Sequence, residues 1–245
     1  MVAAVRFSPH LHGLMTDTPP APPQVTRREP AINAPWSVVA LIGLLIVAHL
    51  ARIVTGGAVD RFALTSADLT AGRLAGLVTY QFVHGGWTHV LMNAAFVLAF
   101  GAPVGRFLGG SARGGAAFFI FFLACGIGAA AAYAGLAGLL GGLGRAGDQW
   151  ALVGASGSAS GLMGAAARLM EGKGRLGAMT GRIVTGMALG WIAMNALLGL
   201  SGLTPGAAGV PVAWEAHIFG FFCGLILIGP AARVAGVGGD HALAR

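Results

Sequence analysis

Apolar residues are concentrated in six long runs, separated by shorter segments that are polar or rich in glycine. Each run has roughly the 20 residues that a helix needs to cross the hydrocarbon core of a bilayer. Within lipid such a run must be helical, because a single helix satisfies its own backbone hydrogen bonds. The pattern therefore predicts an all-α membrane protein, with spanning helices at 36–54, 85–107, 115–137, 150–170, 183–201 and 213–233.

The two ends of the chain lack this pattern. Residues 1–35 are polar and proline-rich and contain no continuous apolar stretch typical of a signal peptide, which predicts a disordered cytoplasmic tail. Residues 36–235 form the predicted six-helix membrane domain, and residues 236–245 form a short cytoplasmic tail. Residues 55–83, between the first two runs, are mildly amphipathic, which predicts a segment that lies along the membrane interface.

Composition excludes an ordinary soluble domain. The chain is 56% hydrophobic and only 9% charged, whereas soluble domains carry about 25% charged residues. The net charge of +7 does not indicate nucleic-acid binding, because the basic residues are scattered between the apolar runs. The two cysteines, Cys125 and Cys223, both lie within apolar runs, so no disulfide framework is predicted.

The basic residues predict the orientation of the chain in the membrane. With the N-terminus inside, eleven of the fifteen Lys and Arg residues lie on the inner side, and Arg52, Arg61, Arg73 and Arg145 lie outside. The positive-inside rule then places both termini in the cytoplasm. Arginine dominates over lysine, which is typical of a GC-rich bacterial genome, so we predict a multi-pass protein of a bacterial plasma membrane.

Polar side chains inside three of the runs are the candidates for chemistry. His89 and Asn93 lie near the outer end of the second run, Ser156 near that of the fourth, and His217 near that of the sixth. These three runs all enter the membrane from the same side, so topology alone brings the four side chains to a similar depth. Polar and ionisable groups within a membrane are costly and usually face a bundle interior or a water-filled cavity.

The chemistry that such a set could perform is acyl transfer. A serine becomes nucleophilic when a base such as His217 takes its proton, and the same base can then protonate the leaving amine. His89 and Asn93 lie four residues apart and therefore share a helix face. Both can donate to an oxyanion, as can the backbone N–H of Ser156 if the chain before it is non-helical. A Ser–His dyad is predicted, because no carboxylate is an obvious third member and Glu215 points away from His217. No metal or cofactor is predicted.

Three motifs resemble the signatures of the rhomboid intramembrane serine proteases. They are "HGGWTHVLMN" at 84–93, "GASG" at 154–157 followed by "GLMGA" at 161–165, and "AHIFGFFCG" at 216–224. "TYQFVH" at 79–84 is also similar to the run that leads into the second span of the family. The resemblance implies a rhomboid-like bundle of six helices with Ser156 as nucleophile, His217 as base, and His89 and Asn93 as oxyanion stabilisers. It also implies that the partners are transmembrane protein substrates, cut near the outer face at small residues above helix-destabilising ones.

Supporting roles follow from the glycines and from the residues next to these motifs. Gly157 lies on a small-residue face, and Gly220 with Gly224 forms a GxxxG pattern, so the two helix backbones can approach closely. Gly147 and Gly154 permit a non-helical approach to Ser156. His84 is predicted to be structural at the mouth of the second span.

The sequence departs from the family pattern at two places. Ser160 occupies the position where many members carry an aromatic residue that stacks on the catalytic histidine, and its hydroxyl could bond His217 instead. Ala75 and Gly76 replace a Trp–Arg pair that often precedes the "TYQF"-like run, so the first outer loop could be held differently.

Each polar residue also has a purely structural explanation. A single serine in a glycine-rich span usually bonds a carbonyl one turn back, and Asn195 in the fifth span favours an interhelical hydrogen bond over a site. Two other functions remain open at this stage. One is an inactive relative that binds transmembrane helices, although such proteins usually lack the Ser or the His. The other is a small transporter, although the spans offer few carboxylates and only a thin set of metal ligands.

Overall fold

The computed structural model describes residues 34–142, 149–201 and 213–238. The predicted N-terminal tail therefore lies outside the described residues apart from its last two positions, as does most of the predicted C-terminal tail. Gly147, predicted to help the chain reach Ser156 without forming a helix, also lies outside them.

Six long helices account for most of the described residues, and two short helices precede the second of them. In chain order the helices are α1 (Trp36–Val54), α2 (Ser66–Thr70), α3 (Gly76–Thr79), α4 (Trp87–Leu108), α5 (Ala112–Gly142), α6 (Ser156–Glu171), α7 (Arg182–Ser201) and α8 (Trp214–Ala235). The predicted all-α membrane bundle is confirmed. By length and hydropathy, α1, α4, α5, α7 and α8 are each able to cross a membrane.

The fourth predicted span begins later than the apolar pattern suggested. The prediction placed it at 150–170, whereas α6 has 16 residues and begins at Ser156. Ala151–Leu152 instead form a short strand, β2, which pairs antiparallel with β1 (Leu64–Thr65). Hydropathy does not distinguish an apolar strand from the first turn of an apolar helix, which explains the difference.

The segment between α1 and α4 is built from short, locally capped pieces. Besides α2 and α3 it contains two 3-10 helices, Ala58–Phe62 and Tyr80–Phe82. Thr65 and Asp68 form a capping box at the start of α2, and Arg73 donates to Asp68 at 2.9 Å. The Thr65 hydroxyl and the Arg73 guanidinium hold the pKa of Asp68 below its usual range. This segment is thus ordered by local polar contacts and by pairing with β2.

Helix α6 is the most enclosed element of the bundle. Twelve of its 16 residues are buried, and it packs against α4, α5, α7 and α8. The main core around it consists largely of aliphatic and phenylalanine side chains, among them Leu41, Leu45, Phe118, Phe122 and Leu162. A helix covered on all sides can carry polar groups away from lipid, because its neighbours form its surroundings.

Glycines bring α6 and α8 into close contact. A Cβ atom at Gly220 would collide with the carbonyl oxygen of Gly157, and one at Gly224 would collide with the carbonyl oxygen of Gly161. Gly164 meets the carbonyl oxygen of Phe221 in the same way. We call these five glycines the glycine seam. It fixes the distance between the two helices on which the predicted nucleophile and base lie.

Polar contacts join the helices at the other end of α6. Arg168 donates to the carbonyl oxygens of Gly177 and Leu225, at 3.1 and 2.8 Å. The Glu171 carboxylate accepts a hydrogen bond of 2.7 Å from the backbone N–H of Ile183 in the first turn of α7. A carboxylate at a helix N-terminus stabilises the helix through its unpaired N–H groups and its dipole.

Candidate active site

The chain reaches Ser156 through a bend at Gly154, in a backbone conformation that residues with a side chain rarely adopt. Gly154 has φ +103°, and its N–H donates to the carbonyl oxygen of Tyr80 at 2.9 Å. Ala155 caps the helix, so Ser156 is its first helical residue. The N–H groups of a first helical turn have no carbonyl partner within the helix. Ser156 therefore presents its hydroxyl and a helix N-terminus at the same place.

The hydroxyl of Ser156 lies next to the imidazole of His217. The distance from Ser156 Oγ to His217 Nε2 is 2.9 Å, within hydrogen-bond range. Both residues are half-buried. The contact spans 61 positions of sequence and joins α6 to α8 across the glycine seam. Their arrangement suits proton transfer from the hydroxyl to the ring.

The other two serines of this stretch are committed to structural hydrogen bonds. Ser158 is buried and its hydroxyl donates to Gln81 Oε1 at 2.7 Å. Ser160 donates to the carbonyl oxygen of Ser156 at 2.7 Å. The expectation that Ser160 could bond His217 is therefore wrong, because its hydroxyl turns back along its own helix.

His89 and Asn93 flank the approach to Ser156. A Cβ atom at Gly154 would lie 2.5 Å from His89 Nε2 and 3.6 Å from Asn93 Nδ2. The backbone N–H of Gly85 points to His89 Nδ1 at 3.5 Å, which leaves the proton of the neutral ring on Nε2. Asn93 donates one amide proton to the carbonyl oxygen of His89, at 3.0 Å. Its other amide proton has no partner among the described residues. Two N–H donors thus border the backbone just before Ser156.

His84 contacts this group from the side. Its ring meets that of His89 edge-on, with centroids 5.1 Å apart. His84 is fully buried, and its Nε2 has no hydrogen-bond partner within the described ranges. Within the described ranges, His84 makes no hydrogen bond to Ser156 or to His217. It therefore lies beside His89 and outside the Ser156–His217 pair.

Asn195 belongs to the site, although the sequence pattern pointed only to an interhelical hydrogen bond. Its Oδ1 lies 2.8 Å from His217 Nδ1, and its Nδ2 donates to the carbonyl oxygen of Trp191 at 2.9 Å. Trp191 in turn donates from its indole nitrogen to the carbonyl oxygen of His217 at 3.3 Å. The only available signal was an amide in an otherwise apolar span, which does not identify the helix it faces.

The sequence also matches a known family over most of its length. A family model described as Rhomboid domain matches residues 71–233. The chain belongs to the rhomboid family. Rhomboids are intramembrane serine proteases, and the matched range contains every residue of the site described above. The chain is thus a multi-pass membrane protein of that family. None of the curated proteins compared with it matches.

The rhomboid site is made of ordinary side chains and backbone groups. Among the residues that the structure describes, no three His, Cys, Asp or Glu side chains come together in an arrangement that could hold a metal ion. The groups around Ser156 are instead a base, two side-chain N–H donors and a helix N-terminus. That combination supports nucleophilic attack and stabilisation of developing negative charge.

Proposed function

We propose that this rhomboid is an active intramembrane serine endopeptidase. It hydrolyses peptide bonds in or near transmembrane segments of other membrane proteins, with Ser156 as nucleophile and His217 as general base. The contact of 2.9 Å between Ser156 Oγ and His217 Nε2 is the observation that carries this proposal.

The first half of the reaction forms an ester with the enzyme. Ser156 Oγ attacks the carbonyl carbon of the scissile peptide bond while its proton passes to His217 Nε2. The carbonyl oxygen then carries negative charge, which His89 Nε2–H, Asn93 Nδ2–H and the backbone N–H of Ser156 stabilise. When the tetrahedral intermediate collapses, the carbon–nitrogen bond breaks and His217 gives its proton to the leaving amine.

The second half restores the enzyme. Water attacks the acyl carbon while His217 accepts one of its protons, and the Ser156 ester bond breaks. The proton returns from His217 to Ser156 Oγ, and the carboxylic acid product leaves. We expect cleavage near the membrane surface, at small residues that precede a helix-destabilising stretch, and we place this surface on the side opposite the chain termini.

Cleavage of a model transmembrane substrate by the purified protein in lipid vesicles tests the proposal. Wild type should cleave it, with the cut mapped by mass spectrometry, and Ser156→Ala and His217→Ala should not. Ser160→Ala is the matched control, because it makes the same chemical change one turn along α6 and should retain activity within a few-fold. A fluorophosphonate should label Ser156 alone. Equal cleavage by wild type and Ser156→Ala refutes the proposal.

The inactive-relative alternative makes a different prediction in the same experiment. An inactive binder would retain the substrate without cutting it and would not react with the fluorophosphonate. The described site argues against that outcome, because nucleophile and base are both present and already in hydrogen-bond contact.

A further inference from the structure

The His217 ring makes a second hydrogen bond, besides the one to Ser156. A mechanism with only Ser156 and His217 assigns no role to this second bond. Nε2 faces Ser156, whereas Nδ1 lies 2.8 Å from Asn195 Oδ1 on α7. Asn195 is buried, with 4% of its surface exposed. A buried amide in a membrane helix needs partners for both ends of its side chain, and here one of the two partners is the base.

The orientation of the amide follows from its other contact. Nδ2 of Asn195 donates to the carbonyl oxygen of Trp191, which can only accept. The oxygen of the amide must therefore face His217, and it too can only accept. His217 Nδ1 consequently carries the proton, and Nε2 offers a lone pair to Ser156. This is the tautomer that a general base next to the serine requires.

No stacked ring holds His217 on the α6 side. Ser160 occupies the position one turn after Ser156 and spends its hydroxyl on the Ser156 carbonyl. Trp191 is the aromatic partner of His217, at 6.3 Å between centroids and with a tilt of 38°, which is not a stacked arrangement. The direction of the imidazole is therefore set mainly by hydrogen bonds at its two nitrogens.

The other described residues otherwise cover little of helix α7. Val184, Trp191 and Asn195 are its buried residues, and two of these three bond His217 or its backbone. The inward face of α7 is thus largely a support for the base.

We propose that Asn195 is a positioning residue that holds His217 in its Nδ1–H tautomer, so that the site works as a Ser–His–Asn arrangement. This inference rests on the proposed function and assigns the orientation of its base. Asn195 does not touch the scissile bond. It acts through His217, and its amide oxygen also stabilises the positive ring that forms when Ser156 is deprotonated.

The test compares three variants in vesicles. Asn195→Leu keeps the volume without an acceptor, Asn195→Asp keeps an acceptor oxygen, and Met194→Ala is a control at an exposed neighbouring position of α7. We expect Asn195→Leu to lower kcat on the order of 10- to 100-fold with KM little changed, because misplacement of a reacting group costs about that much. Asn195→Asp should recover part of the loss, and Met194→Ala should show none.

A spectroscopic measurement separates positioning from simple packing. In protein labelled with 15N-histidine, the His217 signals, assigned by comparison with His217→Ala, should show the Nδ1–H form in wild type and Asn195→Asp. A mixture of tautomers should appear in Asn195→Leu. If Asn195→Leu does not fold, the His217 tautomer measured in Asn195→Asp tests the inference, which expects the Nδ1–H form there. An unchanged tautomer and kcat in Asn195→Leu, or loss of the Nδ1–H form in folded Asn195→Asp, overturns the inference.

The two proposals fail in different ways. If wild type shows no Ser156-dependent cleavage, the proposed function is wrong, and the 15N signals still decide whether Asn195 orients the ring. If wild type cleaves and neither Asn195 variant changes kcat or the tautomer, only the role of Asn195 is wrong.

Discussion

At the scale of single residues, Gly154 combines two constraints that a larger side chain could not meet. Its φ of +103° is strained for any residue with a Cβ atom, and its missing side chain makes room for His89 Nε2. The bend before Ser156 and the position of His89 thus both depend on the absence of a side chain at residue 154. This links backbone conformation directly to the chemistry of the site.

Gly154→Ala should therefore reduce activity strongly. The new Cβ would displace His89 or the segment before Ser156, and loss of one oxyanion donor costs on the order of 10²–10³ in kcat. Gly72→Ala is the matched control, because Gly72 also has positive φ, +71°, but open space around it. Initial rates of substrate cleavage measure the effect. If both variants lose the same fraction of activity, backbone strain and not displacement of His89 is responsible.

The sequence was sufficient to group some residues of the candidate site but not others. Ser156, His217, His89 and Asn93 could be grouped because three helices enter from one side and each carries its polar residue at a similar depth. Asn195 could not be added to them, since hydropathy does not say which face of α7 is turned inward. The Ser160 hydroxyl was assigned the wrong candidate partner, because its choice between His217 and a carbonyl of its own helix depends on local geometry.

At the scale of elements, the glycine seam determines how Ser156 meets His217. Helices normally pack 8–10 Å apart, and small residues allow a closer approach. In the seam, backbone atoms of α6 occupy the space that side chains of α8 would take. Since the serine and the histidine lie on these two helices, a wider separation would lengthen their contact.

Gly224→Ala should destabilise the protein and slow the reaction together. Its Cβ would collide with the backbone carbonyl of Gly161, which cannot rotate away as a side chain could. Overpacking of this kind costs about 1–3 kcal/mol. Gly229→Ala, on the same helix with nothing near its Cβ position, should leave stability unchanged or slightly higher, since alanine favours the helix. Thermal unfolding in detergent micelles and initial cleavage rates measure both effects. Equal unfolding temperatures for the two variants would contradict the role of the seam.

At the scale of the whole molecule, α1, α4, α7 and α8 agree with the apolar pattern to within two residues. Helix α5 extends beyond its predicted bounds of 115–137 at both ends, and α6 begins late. The ends of α1 and α7 lie within one residue of the predicted bounds, because long apolar runs have no alternative to a helix in lipid. The start of α6 differs by six residues, since its first apolar residues pair as β2 with β1. Contacts distant in sequence determined this boundary, and a local hydropathy pattern does not contain them.

The sidedness of the bundle is a prediction from charge that labelling can test. Single-cysteine variants at Ala71, before α3, and at Met179, before α7, are both at exposed positions. A membrane-impermeant maleimide applied to intact cells should label the cysteine at position 71 and not the one at 179. Inverted vesicles should give the reverse pattern, and variants lacking Cys125 and Cys223 serve as the background. Labelling of position 179 in intact cells would show that the orientation is the opposite one.

The shortness of α6 has a consequence for the supply of water. Its 16 residues extend about 24 Å at about 1.5 Å per residue, less than the roughly 30 Å of a bilayer's hydrocarbon core. Lys173 and Arg175 are exposed just beyond the far end of α6, and we expect them to lie among the polar headgroups. The missing length should then fall at the end where Ser156 lies. The proposed hydrolysis consumes one water molecule for each bond cut, and water is scarce in the hydrocarbon core of a bilayer. We expect a helix that begins below the surface to leave a recess through which this second reactant arrives from bulk solution.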